Sequence, residues 1–406
     1  MIFYGTSPGT GEVLSVLSRK TQTVFAEEEG ILEKIGQFIK GMDVSTLLEE
    51  EMCGARFYDH GKEGDLLEIL KRYGVNYVRL RLWNDPYAAD GTPYGAGTND
   101  LGTTIALTKR ALELDMGFLL DLHYSDFWAD PGKQTIPKAW QGLSAEALKT
   151  AVYEYTEAVM ERLKAEGASP TMVQVGNEIT NGLLWPYGKK TGETEGFDRI
   201  AGYISAGIRG VRAANPEVPI MLHLDNGGNN AMYVEWFENY MRRGEDFDII
   251  GFSYYPFWHG TLEQLEYNMR DMAKRYGKEL IVAEVSMGFS MKDYREYEGI
   301  SPDQLKGMAT KPELVEKLEY PMSPKGQSAF MQDILQRIVS VPGGKGFFYW
   351  EPGWIPVPGC GWANEAALAY TGETGLGGNE WANQALFDYD GNALPALSVI
   401  RDFSAV

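Results

Sequence analysis

Apolar residues along this chain fall into short runs separated by longer amphipathic stretches, and the two alternate from about residue 37 to the C-terminus. The short runs are QFIKGMDV, NYVRLRLW, GFLLDLH, TMVQVGNE, VPIMLHLD, FDIIGFSYY, ELIVAEV and KGFFYW. Each is rich in β-branched or aromatic residues and has the near-continuous hydrophobicity of a strand buried on both faces. Between them, stretches such as GDLLEILKRYG, TTIALTKRALELDMG and SAEALKTAVYEYTEAVMERLKAEG space their apolar residues near i, i+3 and i+4, which predicts helices. The Gly after several of these reads as a C-cap. Repeated strand–helix alternation predicts an α/β fold, a parallel sheet closed as a (β/α)8 TIM barrel. No Pro/Gly/Ser-rich linker cuts the chain, so residues 37–406 are expected to form one catalytic barrel domain, with residues 1–36 as an N-terminal extension. Two long loops are expected, from Met287 to Pro324 after the seventh strand and GCGWANEAALAYTGETGLGGNEWANQ after the eighth.

Polar residues gather at one end of these strands. The second run ends with Arg79, Arg81 and Trp83 on one face by the period of two, and the third leads into His123, Asp126 and Trp128. The fourth ends in Asn177 and Glu178, the fifth in Asp225 and Asn226, the sixth in Tyr254 and Tyr255, the seventh at Glu284 and the eighth at Trp350. The C-terminal ends of barrel strands are where active sites form. Glu178 and Glu284 stand out because each closes a strongly apolar strand. A glycosidase needs such a pair, one protonated acid for the leaving oxygen and one ionised carboxylate facing the anomeric carbon. Strands four and seven would set them on opposite sides of the barrel mouth, with burial raising the acid and donors such as Arg79 and a Tyr hydroxyl holding the nucleophile ionised. Asn177 would donate to the sugar 2-hydroxyl.

Composition narrows the ligand. A formal net charge of -20 argues against nucleic acid, whose phosphates need basic patches, and suits a neutral ligand. Ten Trp and 23 Tyr supply flat apolar faces for sugar rings, and Trp128, Trp350 and Trp354, beside Gly and Pro in strand-end loops, read either as such platforms or as core. The four His (His60, His123, His223 and His259) show no metal-site spacing, so no metal is expected. Cys53 and Cys360, far apart and without metal-type spacing, read as free core residues or as one bridge, the first being preferred. No apolar stretch is long enough to span a bilayer, and no basic segment followed by an apolar run opens the chain. The chain as given therefore reads as cytoplasmic, or as secreted if an export signal was removed.

These residues resemble a known family. Asn-Glu after strand four with Glu after strand seven is the pattern of a clan of retaining glycosidases built on (β/α)8 barrels. Within it the chain resembles the family 53 endo-β-1,4-galactanases (arabinogalactan endo-β-1,4-galactosidases). The motifs are GMDVS, GVNYVRLRLWNDP, LLDLHYSDFWADPGKQTIPKAW, VQVGNEITNGLLWP, HLDNGG, DIIGFSYYPFWHGTL, IVAEV, FFYWEPGWIPV and NQALFDYDGNALPAL, from Gly41 to about Leu397. The resemblance implies Glu178 as general acid/base and Glu284 as nucleophile, with Arg79, Asn177, Tyr255 and Trp350 around the sugar at the cleavage point. It adds His123, Asp126, Trp128, Asp225 and Asn226 to the substrate groove. Tyr255 is preferred to Tyr254 on strand alternation. The substrate implied is β-1,4-galactan, in pectin as type I arabinogalactan, or galacto-oligosaccharides, with no cofactor. Some bacterial members carry a structural calcium in the loop after strand seven, but oxygen ligands at calcium spacing are not evident in this one. The competing readings are another retaining β-glycosidase of the clan (mannanase- or cellulase-like), an intracellular galacto-oligosaccharide hydrolase, or a barrel that binds sugars without cleaving them.

Overall fold

The computed structural model describes residues 36–192, 194–292, 310–374 and 377–405. The expected N-terminal extension lies outside these residues except for Gly36, as do residues 293–309 of the loop expected to be long and judged for calcium. All eight strands form: β1 (Ile39–Asp43), β2 (Tyr77–Leu82), β3 (Gly117–Leu122), β4 (Met172–Val175), β5 (Ile220–Leu224), β6 (Ile249–Tyr254), β7 (Glu279–Val285) and β8 (Gly344–Trp350). They close into a parallel barrel in sequence order, β1 pairing with both β2 and β8. One short hairpin, Phe57–Asp59 with Lys62–Gly64, stands outside it.

Alternation along the strands divides the side chains into two sets. Phe118, Leu120 and Leu122 of β3, Val173 and Val175 of β4, and Leu222 and Leu224 of β5 join the large core beneath the helices. The alternate residues face the barrel axis. At its N-terminal end these are apolar: Ile39, Leu119, Met172, Met221, Ile249, Ile281, Ala283 and Phe348 form a separate buried cluster, with Tyr77 packed against it. Gly41 belongs to this layer, and a Cβ there would sit 2.3 Å from the Phe348 ring, so only glycine leaves space for that plug. Further along β1 to β6 the axis-facing residues become polar: Asp43, Arg79, Asp121, Gln174, His223 and Ser253, all buried. The barrel is therefore a dry plug with a charged layer on top, and that layer is the floor of the mouth.

β7 breaks the alternation. Phe252 of β6 aligns with Val282, but the next residue, Ser253, aligns with Glu284, and on the other side Phe347 and Tyr349 align with Val282 and Val285. One extra residue is accommodated on β7, which is a bulge. Without it, Ala283 facing inward would send Glu284 outward. The bulge turns Glu284 back to the axis.

The helices follow their sequence signals. Asp65, Asp100, Ser144 and Thr261 cap the helices Leu66–Arg72, Leu101–Glu113, Ala145–Ala165 and Leu262–Tyr276, each accepting a backbone N–H of the first turn. Gly74, Gly167 and Gly277 follow helices at positive φ, as expected of C-caps. After Leu101–Glu113 that conformation falls on Asp115, and Gly117 instead begins β3. Cys53 is half-buried and Cys360 buried, both as free thiols. No helix among the described residues is long and apolar enough to cross a membrane.

Candidate active site

Arg79, on β2 and fully buried, organises the floor. Its Nη1 lies 2.6 Å from Asp43 Oδ2, its Nη2 2.8 Å from Asp121 Oδ2 and 2.9 Å from Glu284 Oε1. Nη2 also donates to Asn177 Oδ1 at 2.9 Å, and Nε to Gln174 Oε1 at 3.2 Å. A buried guanidinium is tolerable only with such partners. Its charge works on each of them: burial pushes Asp121 upward, but Arg79 and His123 hold it below its ordinary value. Arg81, the next axis-facing residue of β2, pairs with Asp43 at 3.2 Å and with Glu351 at 2.7 Å, and its guanidinium lies 4.4 Å from the Trp128 ring centre. Burial lifts Glu351 to about 7 against the pull of Arg81.

The two glutamates singled out by the sequence meet in one cleft of about 380 Å³ at this end of the barrel. Their surroundings differ. Glu284 accepts from Arg79 and, at 2.8 Å on Oε2, from the Tyr255 hydroxyl. Burial raises its pKa, and those two donors offset only part of the rise. Glu178 accepts one hydrogen bond, from Ser253 Oγ to Oε1 at 2.6 Å. Burial and the negative charges of Glu284, Asp225 and Asp130 raise it well above its ordinary value. Both carboxyls are raised, Glu178 the further. Glu178 also sits at φ 46, ψ 51, in the left-handed region, past the end of β4 and after the positive-φ Gly176 and then Asn177. A non-glycine residue there costs about 1–2 kcal/mol. The conformation turns the side chain over the mouth where the strand has ended.

The walls are aromatic. Trp128 follows β3, Trp258 follows β6, Trp350 ends β8, and Trp362 and Trp381 come from the long loop after it. Tyr255, His259, Asp225 and Lys133 complete the lining at intervals. Trp258 is 38% exposed although its neighbours Phe257 and His259 are buried.

Of the residues expected in the site, Glu178, Glu284, Asn177, His123, Trp128, Asp225, Tyr255 and Trp350 line the cleft, and Arg79 lies beneath it. Asn177 Nδ2 donates to Ala129 O at 2.9 Å. His123 is a floor residue with both ring nitrogens engaged, Nδ1 by the Trp83 indole and the Ala129 amide and Nε2 by Asp121. Tyr254, the alternative to Tyr255, is buried with its hydroxyl on Gly260 O. Two expected residues are not brought to the lining. Asp126 is buried beneath the wall, accepting the Lys138 amide at 2.6 Å. Asn226, at φ 53, turns away after Asp225, whose carboxylate receives the Thr180 hydroxyl. Trp354, read as platform or core, is fully buried and packs behind Trp128 and Trp350.

Other residues of the site were not singled out: Asp43, Asp121, Gln174, His223, Ser253 and Glu351 below, and Trp258, Trp362 and Trp381 above. The lower set carries a usable signal. Asp121 precedes His123 by two, His223 precedes Asp225 by two and Ser253 precedes Tyr255 by two, so the period that selected the strand ends also selects them.

The chain matches the profile of glycosyl hydrolase family 53 over residues 39–400. It is 37% identical to an endo-β-1,4-galactanase of Bacillus subtilis, the match covering 98% of this chain and 95% of that one. Among solved structures, the family 53 catalytic domain of Ignisphaera aggregans matches with a TM-score of 0.80 at 38% identity, covering 91% of this chain and 96% of that one. One of two fungal β-1,4-galactanases matches with a TM-score of 0.71 at 31% identity, covering 91% and 100%.

Proposed function

The chain belongs to glycosyl hydrolase family 53 and is a glycoside hydrolase of β-1,4-galactan, and we propose that Glu284 and Glu178 carry the reaction as nucleophile and general acid/base. The observation behind these roles is the unequal supply of donors. Arg79 and Tyr255 both donate to Glu284, which favours its ionised form, whereas Glu178 sits among negative charges that favour its proton.

In the first step a Glu284 oxygen attacks the anomeric carbon as the glycosidic bond breaks, and Glu178 gives its proton to the departing oxygen. Water then enters, Glu178 takes its proton, and the hydroxide displaces Glu284 from the anomeric carbon. Two displacements at one carbon retain the β configuration. As the covalent bond forms, Glu284 gives up its charge while Glu178 acquires one, so total negative charge in the cleft stays constant. Asn177 is anchored by Arg79 through its oxygen and by Ala129 O through one amide hydrogen, and its second amide hydrogen serves the 2-hydroxyl. Trp128, Trp258, Trp350, Trp362 and Trp381 offer ring faces on which the apolar faces of successive galactose units stack. The two displacements require no cofactor chemistry.

Digestion of linear β-1,4-galactan, with products resolved by size over time, tests the reading. Cleavage within the chain gives a ladder of galacto-oligosaccharides from the first minutes. Release of galactose alone, or activity on mannan or cellulose with none on galactan, would overturn it.

A further inference from the structure

We propose that Ser253, backed by His223, is a positioning residue for the ionised form of Glu178, its hydrogen bond to Oε1 tightening as the catalytic proton leaves. This rests on Glu178 being the general acid/base.

The argument is one of hydrogen counting. Ser253, fully buried on β6, has one hydroxyl hydrogen, and its oxygen lies 2.6 Å from Glu178 Oε1. His223 Nε2, on neighbouring β5, is 2.8 Å from the same Ser253 oxygen. When Glu178 is ionised it has no hydrogen to give, so the Ser253 hydrogen must point at Oε1. The Ser253 oxygen can then only accept, and His223 must hold its proton on Nε2. In that state Nδ1 is left as an acceptor; Gln174 Nε2 stands 3.1 Å from it, and Asn177 Oδ1, which would receive a hydrogen from the other tautomer, 3.0 Å.

The orientation of Gln174 is itself fixed. Its Oε1 receives Arg79 Nε–H at 3.2 Å, and Arg79 has no acceptor to offer. Its Nε2 donates to Asp121 Oδ1 at 2.6 Å. With Glu178 ionised, a directed series runs from Arg79 through Gln174, His223 and Ser253 to Glu178. It starts from the same guanidinium that holds Glu284. His223 is fully buried and faces Arg79, Asp121, His123 and His259; burial and the Arg79 charge keep it well below its ordinary pKa, so the ring stays neutral with one hydrogen.

The consequence lies at Glu178. In the ionised form Oε1 receives the Ser253 hydrogen, and Oε2 receives no hydrogen bond from a described residue and belongs to a side chain lining the cleft. As the proton leaves, the Ser253 bond becomes charge-assisted and strengthens, which favours the transition state over the ground state. The charged and titratable groups facing Glu178 are Glu284 from β7, Asp225 from the end of β5, Asp130 from the loop after β3 and the Tyr255 hydroxyl from β6; Ser253 alone among the named neighbours lowers its pKa.

The test compares Ser253→Ala, Ser253→Thr and Glu178→Gln with wild type on galactan and on a dinitrophenyl β-galactobioside, whose leaving group departs without a proton. Glu178→Gln must first lose galactan turnover; if it does not, the acid/base assignment fails, not this inference alone. Ser253→Ala is expected to lower kcat/KM on galactan about ten-fold, the scale of a hydrogen bond to a charged group. Its kcat/KM on the dinitrophenyl substrate should stay within about two-fold, which also reports that the protein is folded. Loss of the donor moves the alkaline limb of the galactan profile to higher pH, and Ser253→Thr, which keeps the hydroxyl, restores both. Equal losses on the two substrates, or an unmoved alkaline limb in Ser253→Ala, would overturn the inference.

Discussion

Ser253 and Tyr255 stand two residues apart at the end of β6, and each donates its hydroxyl to a different cleft glutamate: Ser253 to Glu178 at 2.6 Å and Tyr255 to Glu284 at 2.8 Å. The period of two puts both on the axis side, one step apart in height. A single strand end thereby serves both carboxyls of the proposed reaction, the deeper donor the acid and the outer donor the nucleophile.

Tyr255→Phe removes one of the two donors to Glu284. The Tyr255 phenol is itself pushed well above its ordinary pKa by burial and the two glutamates, so it remains a donor at every working pH. Without it the acid limb of kcat/KM moves to higher pH, because a more basic Glu284 must lose its proton before it can attack. The rate at the optimum is expected to fall about ten-fold or more. A pH profile of the variant against wild type checks both; an unmoved acid limb contradicts the role given to Tyr255.

Glu178→Ala and Glu284→Ala separate the two roles. Both should lose about 10² to 10⁴ of galactan turnover. Added azide should restore turnover of a dinitrophenyl β-galactobioside in Glu178→Ala with the β-galactobiosyl azide as product, since Glu284 still forms the glycosyl-enzyme. The azide product from Glu284→Ala should be the α-anomer. Nuclear magnetic resonance of the azides assigns them, and a reversed pattern exchanges the two glutamates.

Trp258 carries an exposed ring at the cleft edge and contributes little to the core. Trp258→Ala is expected to raise KM for galactan several-fold with kcat nearly unchanged and the melting temperature within about 2 °C, since stacking of this kind contributes about 0.5–1.5 kcal/mol. A fall in kcat with KM unchanged would remove Trp258 from substrate binding.

Glu50 is a titrating group away from the chemistry. It is fully buried on helix Leu47–Met52 beside the Cys360 thiol, neither carboxyl oxygen has a hydrogen bond of good geometry, and burial raises it well above 4.5. Below pH 4.5 folded and unfolded chains both hold its proton. Above that the unfolded chain releases it and the folded chain does not, so stability is lost as pH rises, by about 1.4 kcal/mol per pH unit for such a group. Glu351, lifted to about 7, adds a like slope between 4.5 and 7. Glu50→Gln removes one of these slopes. Denaturant melts should show the variant gaining on wild type from pH 5 to pH 8 and matching it near pH 4; a constant difference contradicts the raised pKa.

The strands were legible because a parallel barrel buries both faces, and eight runs such as ELIVAEV have no other place to go. Glu178 and Glu284 were legible as carboxyls ending such runs. The inward aim of Glu284 was not, since it depends on the β7 bulge, which has no mark in ELIVAEV. Asp126 and Asn226 follow Tyr124 and Asp225 through positive-φ turns, at Tyr124 and at Asn226 itself, and a period of two cannot be carried past such a turn. Ser253 and His223 were within reach of the same periodicity, but their meaning lies in which atom faces which, and that needs coordinates. The contribution of Trp362 and Trp381 depends on how a long loop folds back over the mouth, for which the chain offers no repeating pattern.

The most direct test of the account is the anomer released first when the enzyme cuts linear β-1,4-galactan, followed by proton nuclear magnetic resonance faster than mutarotation. Two displacements through Glu284 predict new β-anomeric reducing ends on oligosaccharides, with α signals growing in only later. The α-anomer appearing first would mean a single displacement by water, and Glu284 could not then be the nucleophile.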